Sequence, residues 1–327
     1  MNRWFQKGNS RRFFRIDMPL RLFVTPSSPI KDREIYATGA DYFPPGIKKR
    51  LEEEKADTHF WLSRVQDQKI LVTELFNEVI GFIEFFGECA ISISQGINPR
   101  LDPKYWIQLN QKKQGFQKVE ALFESAPKTY RYFKLIEDKY MIFLESMIHS
   151  ITHSTQSHFE ANRNLPYGFK IDETLELFKK EKFSKVPLVQ GILSLCQLMN
   201  TYLEAYRHIN DDNVLRQYPT EWKLQQANVS ASGLAVLLEK RFEAFEKVDV
   251  FFYFPTQEKI LQFSGSIVDI RTIDDAYKER VAINFEFPDG SNQDFLQNEI
   301  QRFEIEECMH FNLSSFSALI ADKEGED

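Results

Sequence analysis

The sequence has few cysteines, the residues that form disulfide frameworks, redox motifs and many metal sites. It contains only three in 327 residues. Cys89, Cys196 and Cys308 are far apart and show no metal-ligand or redox spacing. Proteins of oxidising compartments rely on paired cysteines, so we expect a reduced, cytoplasmic protein without disulfides.

Long hydrophobic runs are also missing. The most apolar stretch, residues 75–93, is interrupted by Glu78, Glu84 and Glu88, whereas a membrane-spanning helix needs about 20 largely apolar residues. The first residues lack the apolar segment of a signal peptide. The sequence therefore predicts no membrane span.

The chain has no overall excess of positive charge. Its 41 lysines and arginines are outnumbered by 48 acidic residues, which gives a net charge of −7. This balance argues against general binding to nucleic acid or anionic membranes, because a polyanion requires a basic surface. The N-terminal arm is the exception, since only Asp17 there opposes the cations Arg3, Lys7, Arg11, Arg12, Arg15 and Arg21. We expect this arm to attract a small anionic ligand.

Known catalytic signatures do not occur in the sequence. It has no nucleophile elbow, no phosphate-cradling glycine loop and no carboxylate dyad, so we do not expect an enzyme. Glu145, His149 and His153 share one face of a predicted helix, and His158 is nearby. Carboxylate and imidazole groups on bundled helices can hold a metal, but no second Glu-x-x-His motif accompanies them. We interpret them as a solvent-exposed or interface face, with a pH-sensitive contact or a metal site as alternatives.

Apolar residues alternate with other residues at both ends of the chain, which indicates strands. The alternation covers residues 15–25 and returns from Tyr218 onward, where several short antiparallel strands are predicted. Ser291 then begins a closing helix, and residues 313–327 are expected to form a disordered acidic tail. Because a lone strand cannot satisfy its backbone groups, the first strand must pair with strands after residue 218.

Between these segments, residues 41–214 show apolar positions every three or four residues, which is typical of bundled or supercoiled helices. The repeating positions are Val72, Leu75, Val79, Phe82, Phe86, Cys89 and Ile93; Ile136, Tyr140, Phe143 and Met147; and Val189, Ile192, Cys196, Met199, Leu203 and Tyr206. Helices are predicted near residues 46–56, 58–96, 102–124, 127–158 and 186–209, with a weaker one near 171–182. The stripes fit either a closed monomeric bundle or self-association into a dimer or tetramer.

Two short motifs lie beside the predicted strands. Arg11-Arg12-Phe13-Phe14-Arg15 precedes the first strand, and Asn228-Val229-Ser230-Ala231-Ser232-Gly233 lies between two later ones. Each pattern is common by chance, and the second could be only a hairpin turn. Taken with the strands and the closing helix, they make the sequence resemble the PilZ family, small β-barrels that bind the bacterial second messenger cyclic di-GMP. The resemblance covers roughly residues 9–40 and 215–312.

The resemblance implies an α+β fold in which an antiparallel PilZ-like barrel with a C-terminal helix is interrupted by a long helical bundle. Residues 1–40 would supply the arm and the first strand, residues 41–214 the bundle, and residues 215–312 the remainder of the barrel. In PilZ domains the two motifs are usually a few tens of residues apart, so the intervening bundle departs from the family pattern.

The resemblance also implies a ligand site. Arg11 and Arg15 match the family's Arg-x-x-x-Arg pair, with Arg12 as an auxiliary contact, and Asn228, Ser230 and Gly233 match the second motif. Arginine can grip a phosphate or the O6/N7 edge of guanine. Asparagine and serine can bond a guanine edge, and glycine leaves room for the ligand or adopts a positive φ.

The sequence thus predicts a cytoplasmic cyclic di-GMP receptor that needs no further cofactor and relays the signal to a protein partner or a homo-oligomer through its helices. The alternative is a structural adaptor whose barrel does not bind nucleotide. A metal-dependent bundle enzyme is a third, more distant possibility.

Overall fold

A computed structural model describes residues 14–27, 30–238, 242–273, 278–286 and 290–324, with side chains through His310. The chain divides into two compact units. One contains the described residues before 29 and from Tyr218 onward, and the other contains the described residues from 30 to Gln217. The fold is α+β, with a six-stranded antiparallel barrel, a C-terminal helix and a helical region.

The described part of the helical unit contains six α-helices. They are α1 (Pro45–Ser63), α2 (Lys69–Ser94), α3 (Tyr105–Lys112), α4 (Pro127–His153), α5 (Lys170–Phe178) and α6 (Pro187–Gln217). The repeating apolar positions of the sequence are buried inside this unit, except Val189, which is half-buried. The stripes therefore form the interior of a closed bundle, and they are not available as an interface between chains.

Two of the predicted helices are interrupted in the structure. The single helix expected over 58–96 is broken, because α1 continues to Ser63 and α2 begins only at Lys69, after Gln68 in the left-handed conformation (φ 50°). Since no glycine or proline marks this break, the apolar repeat alone did not predict it. The helix expected over 102–124 is split into α3 and a 3₁₀ helix (Gln117–Leu122). Gly115 lies between them with φ +75°, a conformation that favours glycine and ends a helix.

The helical unit begins earlier than the sequence pattern indicated. Residues 30–40 were expected to belong with the barrel, but Ile35 and Tyr36 are buried in the core of the helical unit. Tyr42 Oη donates a hydrogen bond of 2.5 Å to Asp212 Oδ2 on α6, and Thr38 Oγ1 lies 3.2 Å from Tyr42 Oη. This buried network ties the segment before α1 to the last helix of the bundle.

The barrel strands are β1 (Ile16–Pro26), β2 (Leu224–Ser230), β3 (Gly233–Leu238), β4 (Lys247–Phe254), β5 (Lys259–Thr272) and β6 (Glu279–Glu286). They close in the order β1-β2-β3-β6-β5-β4, and every neighbouring pair is antiparallel. In sequence, β1 precedes the helical unit and the other strands follow it. The predicted pairing of the first strand with strands after residue 218 is therefore confirmed.

Inward-facing residues of all six strands fill the barrel. Val229, Leu234, Val250, Phe252 and Ile283 are fully buried there. The first half of β1 pairs with β2 and the second half, from Arg21, pairs with β4. Pro19 lies in the half that pairs only with β2, where it is opposite Gln226.

The C-terminal helix, α7 (Ser291–Glu324), packs on the barrel through Leu296, Ile300 and Phe303. Its backbone continues beyond the predicted end at residue 312, so residues 313–324 are helical rather than a disordered tail. No glycine or proline interrupts the sequence between Ser291 and Glu324, which accounts for the longer helix. Residues 325–327 lie outside the described residues. No described helix is both long enough and apolar enough to cross a membrane.

The helical unit buries several phenol and thiol groups. Burial raises the pKa of Tyr206, Cys89 and Cys196 to about 12. Burial, followed by the charge of Asp212, raises the pKa of Tyr42 well above its usual value. Such groups keep their protons more tightly in the folded chain. They therefore add stability below the pKa of the unfolded chain, and this stability is lost as the pH rises through the folded pKa.

We expect the free energy of unfolding of the helical unit to fall steadily from about pH 9 to about pH 12, because cysteine and tyrosine ionise near pH 8.5 and pH 10 in an unfolded chain. Urea unfolding followed by far-ultraviolet circular dichroism at a series of pH values measures this dependence. Cys196→Ala, which removes one of the titrating groups, should make the fall less steep. A free energy of unfolding that stays constant over the range would contradict the prediction.

Candidate ligand-binding site

The Asn228–Gly233 segment forms a tight hairpin between β2 and β3. Asn228 belongs to β2 rather than to the turn, and Ser230 pairs with Gly233 across the turn formed by Ala231 and Ser232. Ser230 is fully buried. Its Oγ accepts a 3.3 Å hydrogen bond from the Ser232 N–H and donates one of 3.4 Å to the Gly233 carbonyl. The Ser230 hydroxyl therefore holds the turn together.

Gly233 is required by close packing and not by a positive φ. A Cβ at this position would lie 2.5 Å from the carbonyl oxygen of Ile283 on β6, a backbone atom that cannot move aside without disturbing the sheet. The same Cβ position lies 3.5 Å from Arg15 Nη2. The missing side chain thus lets β3 approach β6 and gives the Arg15 guanidinium room above the strand.

Arg15, the last residue of the first motif, lies next to the second motif in space. It lies directly before β1, whose first residue, Ile16, pairs with Val229 of β2. This register places the half-buried Arg15 side chain at the hairpin, although the whole helical unit separates the two motifs in sequence. Arg11 and Arg12, the other predicted contacts of the arm, lie outside the described residues.

Asn228 has a defined amide orientation. It pairs with Asp17 across β2 and β1, and its Nδ2 donates a hydrogen bond of 2.8 Å to Asp17 Oδ1. An ionised carboxylate can only accept hydrogen bonds, so the amide nitrogen must face Asp17. The Oδ1 of Asn228 is consequently directed away from Asp17, as a hydrogen-bond acceptor.

An open pocket of about 600 Å³ lies on this side of the barrel. Its lining includes Arg15, Asp17, Gln226, Asn228, Ala235 and Arg280. The volume is within the range of small-molecule sites. Arg15 and Asn228 were predicted from the motifs, whereas Ser230 and Gly233 shape the hairpin behind the pocket and do not line it.

Sequence reasoning missed three polar residues of the pocket. Asp17 and Gln226 reach it through the pairing of β1 with β2, and Arg280 reaches it from β6. The alternation of the strands indicates that these side chains point away from the barrel core. Strand register, which the alternation does not give, decides that they meet in one pocket. The pocket thus combines two arginines with one carboxylate, a balance that suits an anionic ligand.

The histidine group of α4 forms an exposed face, as predicted. The His149 and His153 rings are 4.3 Å apart, and His153 Nδ1 lies 2.9 Å from the carbonyl oxygen of His149. His158 instead contacts Glu160 at 3.5 Å. Among the residues that the structure describes, no group of three or more His, Cys, Asp or Glu side chains could hold a metal ion.

The fold is a closed six-stranded barrel with a packed C-terminal helix, and the pocket lies on its outer face beside the first hairpin. The PilZ domain family matches residues 208–304, which include β2 to β6 and the first part of α7. A PilZ domain therefore lies at these residues, and the helical region precedes it in sequence.

Comparison with solved structures gives one similar chain, a tetrameric PilZ-domain protein from Xanthomonas campestris described as self-assembled through a helical bundle. The two share 16% sequence identity, with a TM-score of 0.25, over 29% of this chain and 56% of that one. The match thus spans little more than half of the length of that chain. No curated protein matches.

Proposed function

We propose that the barrel is a receptor for cyclic di-GMP. The observation that carries the proposal is that Arg15 and Asn228, one from each motif, line the same pocket. The PilZ domain match supports it, because PilZ domains are typically non-catalytic receptors. A binding function also fits a pocket whose polar groups are two arginines, an asparagine, a glutamine and one aspartate.

The chemistry of the two motif residues suits a guanine dinucleotide. The Arg15 guanidinium can form two parallel hydrogen bonds to a phosphate or to guanine O6 and N7. The outward-directed Oδ1 of Asn228 can accept from guanine N1–H and N2–H₂. Guanine thus offers two adjacent donors, whereas adenine has only N6–H₂ beside an acceptor at N1, so the orientation that Asp17 imposes on Asn228 favours guanine.

The remaining motif residues have supporting roles in this proposal. Arg11 and Arg12 would add cations to the site from the arm that precedes β1. Ser230 and Gly233 would act through the hairpin, since the Ser230 hydroxyl holds the turn and the absent Gly233 side chain leaves space for Arg15.

We also infer that the helical unit is an insertion in a PilZ-like barrel, between Arg15 and Asn228. The pairing of β1 with both β2 and β4 supports this, because β1 lies outside the matched range and yet completes the closed sheet. The proposed receptor works in the cytoplasm and passes the ligand signal to a protein partner or to further copies of the chain. Large apolar side chains exposed on the helical unit, among them Ile97, Leu101, Trp106 and Ile107, are candidates for this contact.

A structural adaptor that binds no nucleotide is the second candidate. Two contacts favour this candidate. The buried Ser230 hydroxyl already bonds within the turn, and the Asn228 amide nitrogen already donates a hydrogen bond to Asp17. Ligand binding decides between the two candidates.

Arg15→Ala is expected to weaken cyclic di-GMP binding by about tenfold or more, the loss expected for one charge-assisted contact. Equilibrium dialysis of the intact protein against labelled cyclic di-GMP measures the affinity. Arg271→Ala is the matched control, because Arg271 is an exposed arginine of the same barrel that pairs with Asp269 and does not line the pocket. Equal affinities of the two variants would remove Arg15 from the site, and an intact protein without binding would favour the adaptor.

A further inference from the structure

We infer that Arg280 is a second fixed cation of this pocket and binds the end of the ligand opposite Arg15, so that the site takes a two-ended dinucleotide. This inference rests on the proposed function. It adds a recognition residue that belongs to neither motif and that lies on a barrel strand.

The register of the strands places the two arginines at opposite ends of the outer face of β3, which forms the floor of the pocket. Arg15 Nη2 lies beside the Cβ position of Gly233, at the start of β3, and Arg280 of β6 pairs with Leu237 near its end. The paired positions Gly233 and Leu237 are four residues apart, which corresponds to about 13 Å along a strand. A ligand that contacts both arginines must therefore extend along β3.

The floor between the arginines is shallow. Gly233, Ala235 and Leu237 share the outer face of β3, since Leu234 and Val236 point into the barrel core. Ala235 pairs with Asn228 on one side and with Ala282 on the other. Ala235 lines the pocket, and its small side chain leaves the pocket open between its two cations.

Within the described residues, Arg280 has no polar side-chain partner. It is half-buried, and its side chain forms no ion pair and no hydrogen bond with any residue that the structure describes. Arg271, directly opposite on β5, has 70% of its side chain exposed and pairs with Asp269 at 2.8 Å. Arg271 and Arg280 pair across β5 and β6 and repel each other, so an anion bound beside Arg280 would offset this repulsion.

The chemistry of the ligand matches this arrangement. A cyclic dinucleotide carries two phosphodiesters and a base at each end, and each guanidinium can bind a phosphate or the O6/N7 edge of guanine. GMP has a single phosphate and a single base, so it can reach both arginines only by giving its phosphate to one and its base to the other, whereas the dinucleotide offers a phosphate and a base at each end. Simultaneous contact with Arg15 and Arg280 therefore selects a dinucleotide over GMP.

Isothermal titration of the full-length protein with cyclic di-GMP, and with GMP as a probe with half of its phosphates and bases, tests the inference. We expect Arg280→Ala to raise the Kd for cyclic di-GMP by about tenfold or more and Arg271→Ala to change it less than about twofold. Arg280→Lys should give an intermediate Kd, because lysine keeps the charge without the planar fork. Thermal unfolding of each variant shows whether it is folded, and Arg280→Lys alone suffices if Arg280→Ala is not.

The outcomes separate this inference from the proposed function. If the intact protein does not bind cyclic di-GMP, both are overturned. If it binds, and the Arg280 variants bind as tightly as Arg271→Ala, the proposed function stands and the role of Arg280 is overturned. Equal affinities of the intact protein for GMP and cyclic di-GMP would likewise overturn the two-ended site.

Discussion

Phe86→Ala is expected to lower the free energy of unfolding of the helical unit by about 3–5 kcal/mol, the range for truncating a buried phenylalanine. Phe86 is fully buried in α2. Its ring meets those of Tyr140, Phe143 and Tyr206 edge-on, at centroid distances of 6.1, 6.5 and 5.6 Å. Truncation removes all three contacts and leaves a cavity between α2, α4 and α6. Urea unfolding followed by circular dichroism measures the loss.

A phenylalanine on the surface of the same unit gives the control. Phe123 is 61% exposed, so Phe123→Ala should cost less than about 1 kcal/mol. The mass of each variant in solution is informative as well. If Phe86→Ala left the free energy of unfolding unchanged and altered only the number of associated chains, the apolar stripe would be an interface and not the interior of a bundle.

Gly233→Ala is expected to destabilise the barrel by about 1–3 kcal/mol, the usual cost of forcing extra atoms into a packed region. The added Cβ would lie 2.5 Å from the Ile283 carbonyl oxygen, so β3 must move away from β6. The same movement displaces the floor beneath Arg15. We therefore expect cyclic di-GMP affinity to fall together with stability, as measured by thermal unfolding and isothermal titration.

Gly265→Ala separates damage to the barrel from damage to the pocket. A Cβ on Gly265 of β5 would lie 2.5 Å from the Asn284 carbonyl oxygen, on the other side of β6, and Gly265 does not line the pocket. Both variants should lose a similar amount of stability, and only Gly233→Ala should lose most of its affinity. A similar loss of affinity in both would mean that Gly233 has no specific role at the site.

Much of the fold could be predicted from apolar spacing. Alternation in residues 15–25 and after Tyr218 predicted the barrel strands, because each strand has one face in the core. The break between α1 and α2 could not be predicted in this way, since Gln68 adopts a left-handed conformation that its residue type does not favour. The same limit applies to residues 30–40, where buried positions such as Ile35 follow no period.

The pocket residues that belong to a sequence motif could be predicted, whereas those that strand register brings together could not. Arg15 and Asn228 were predicted by motif and lie in one pocket. Asp17 and Arg280 were not predicted. Asp17 reaches the pocket because β1 pairs with β2, although the whole helical unit separates these strands in sequence. Arg280 reaches it because β6 pairs with β3. The role of Ser230 could not be predicted for a different reason. Serine is common both in turns and in ligand sites, so its residue type does not distinguish the two roles.

The central claim is that the outer pocket beside the Asn228–Gly233 hairpin binds cyclic di-GMP. Isothermal titration of the intact protein with cyclic di-GMP tests it most directly. We expect saturable heat with a Kd in the micromolar range or tighter, with weaker binding in Arg15→Ala and unchanged binding in Arg271→Ala. No heat, together with no competition against labelled ligand, would contradict the account and leave the barrel as a scaffold for the helical unit.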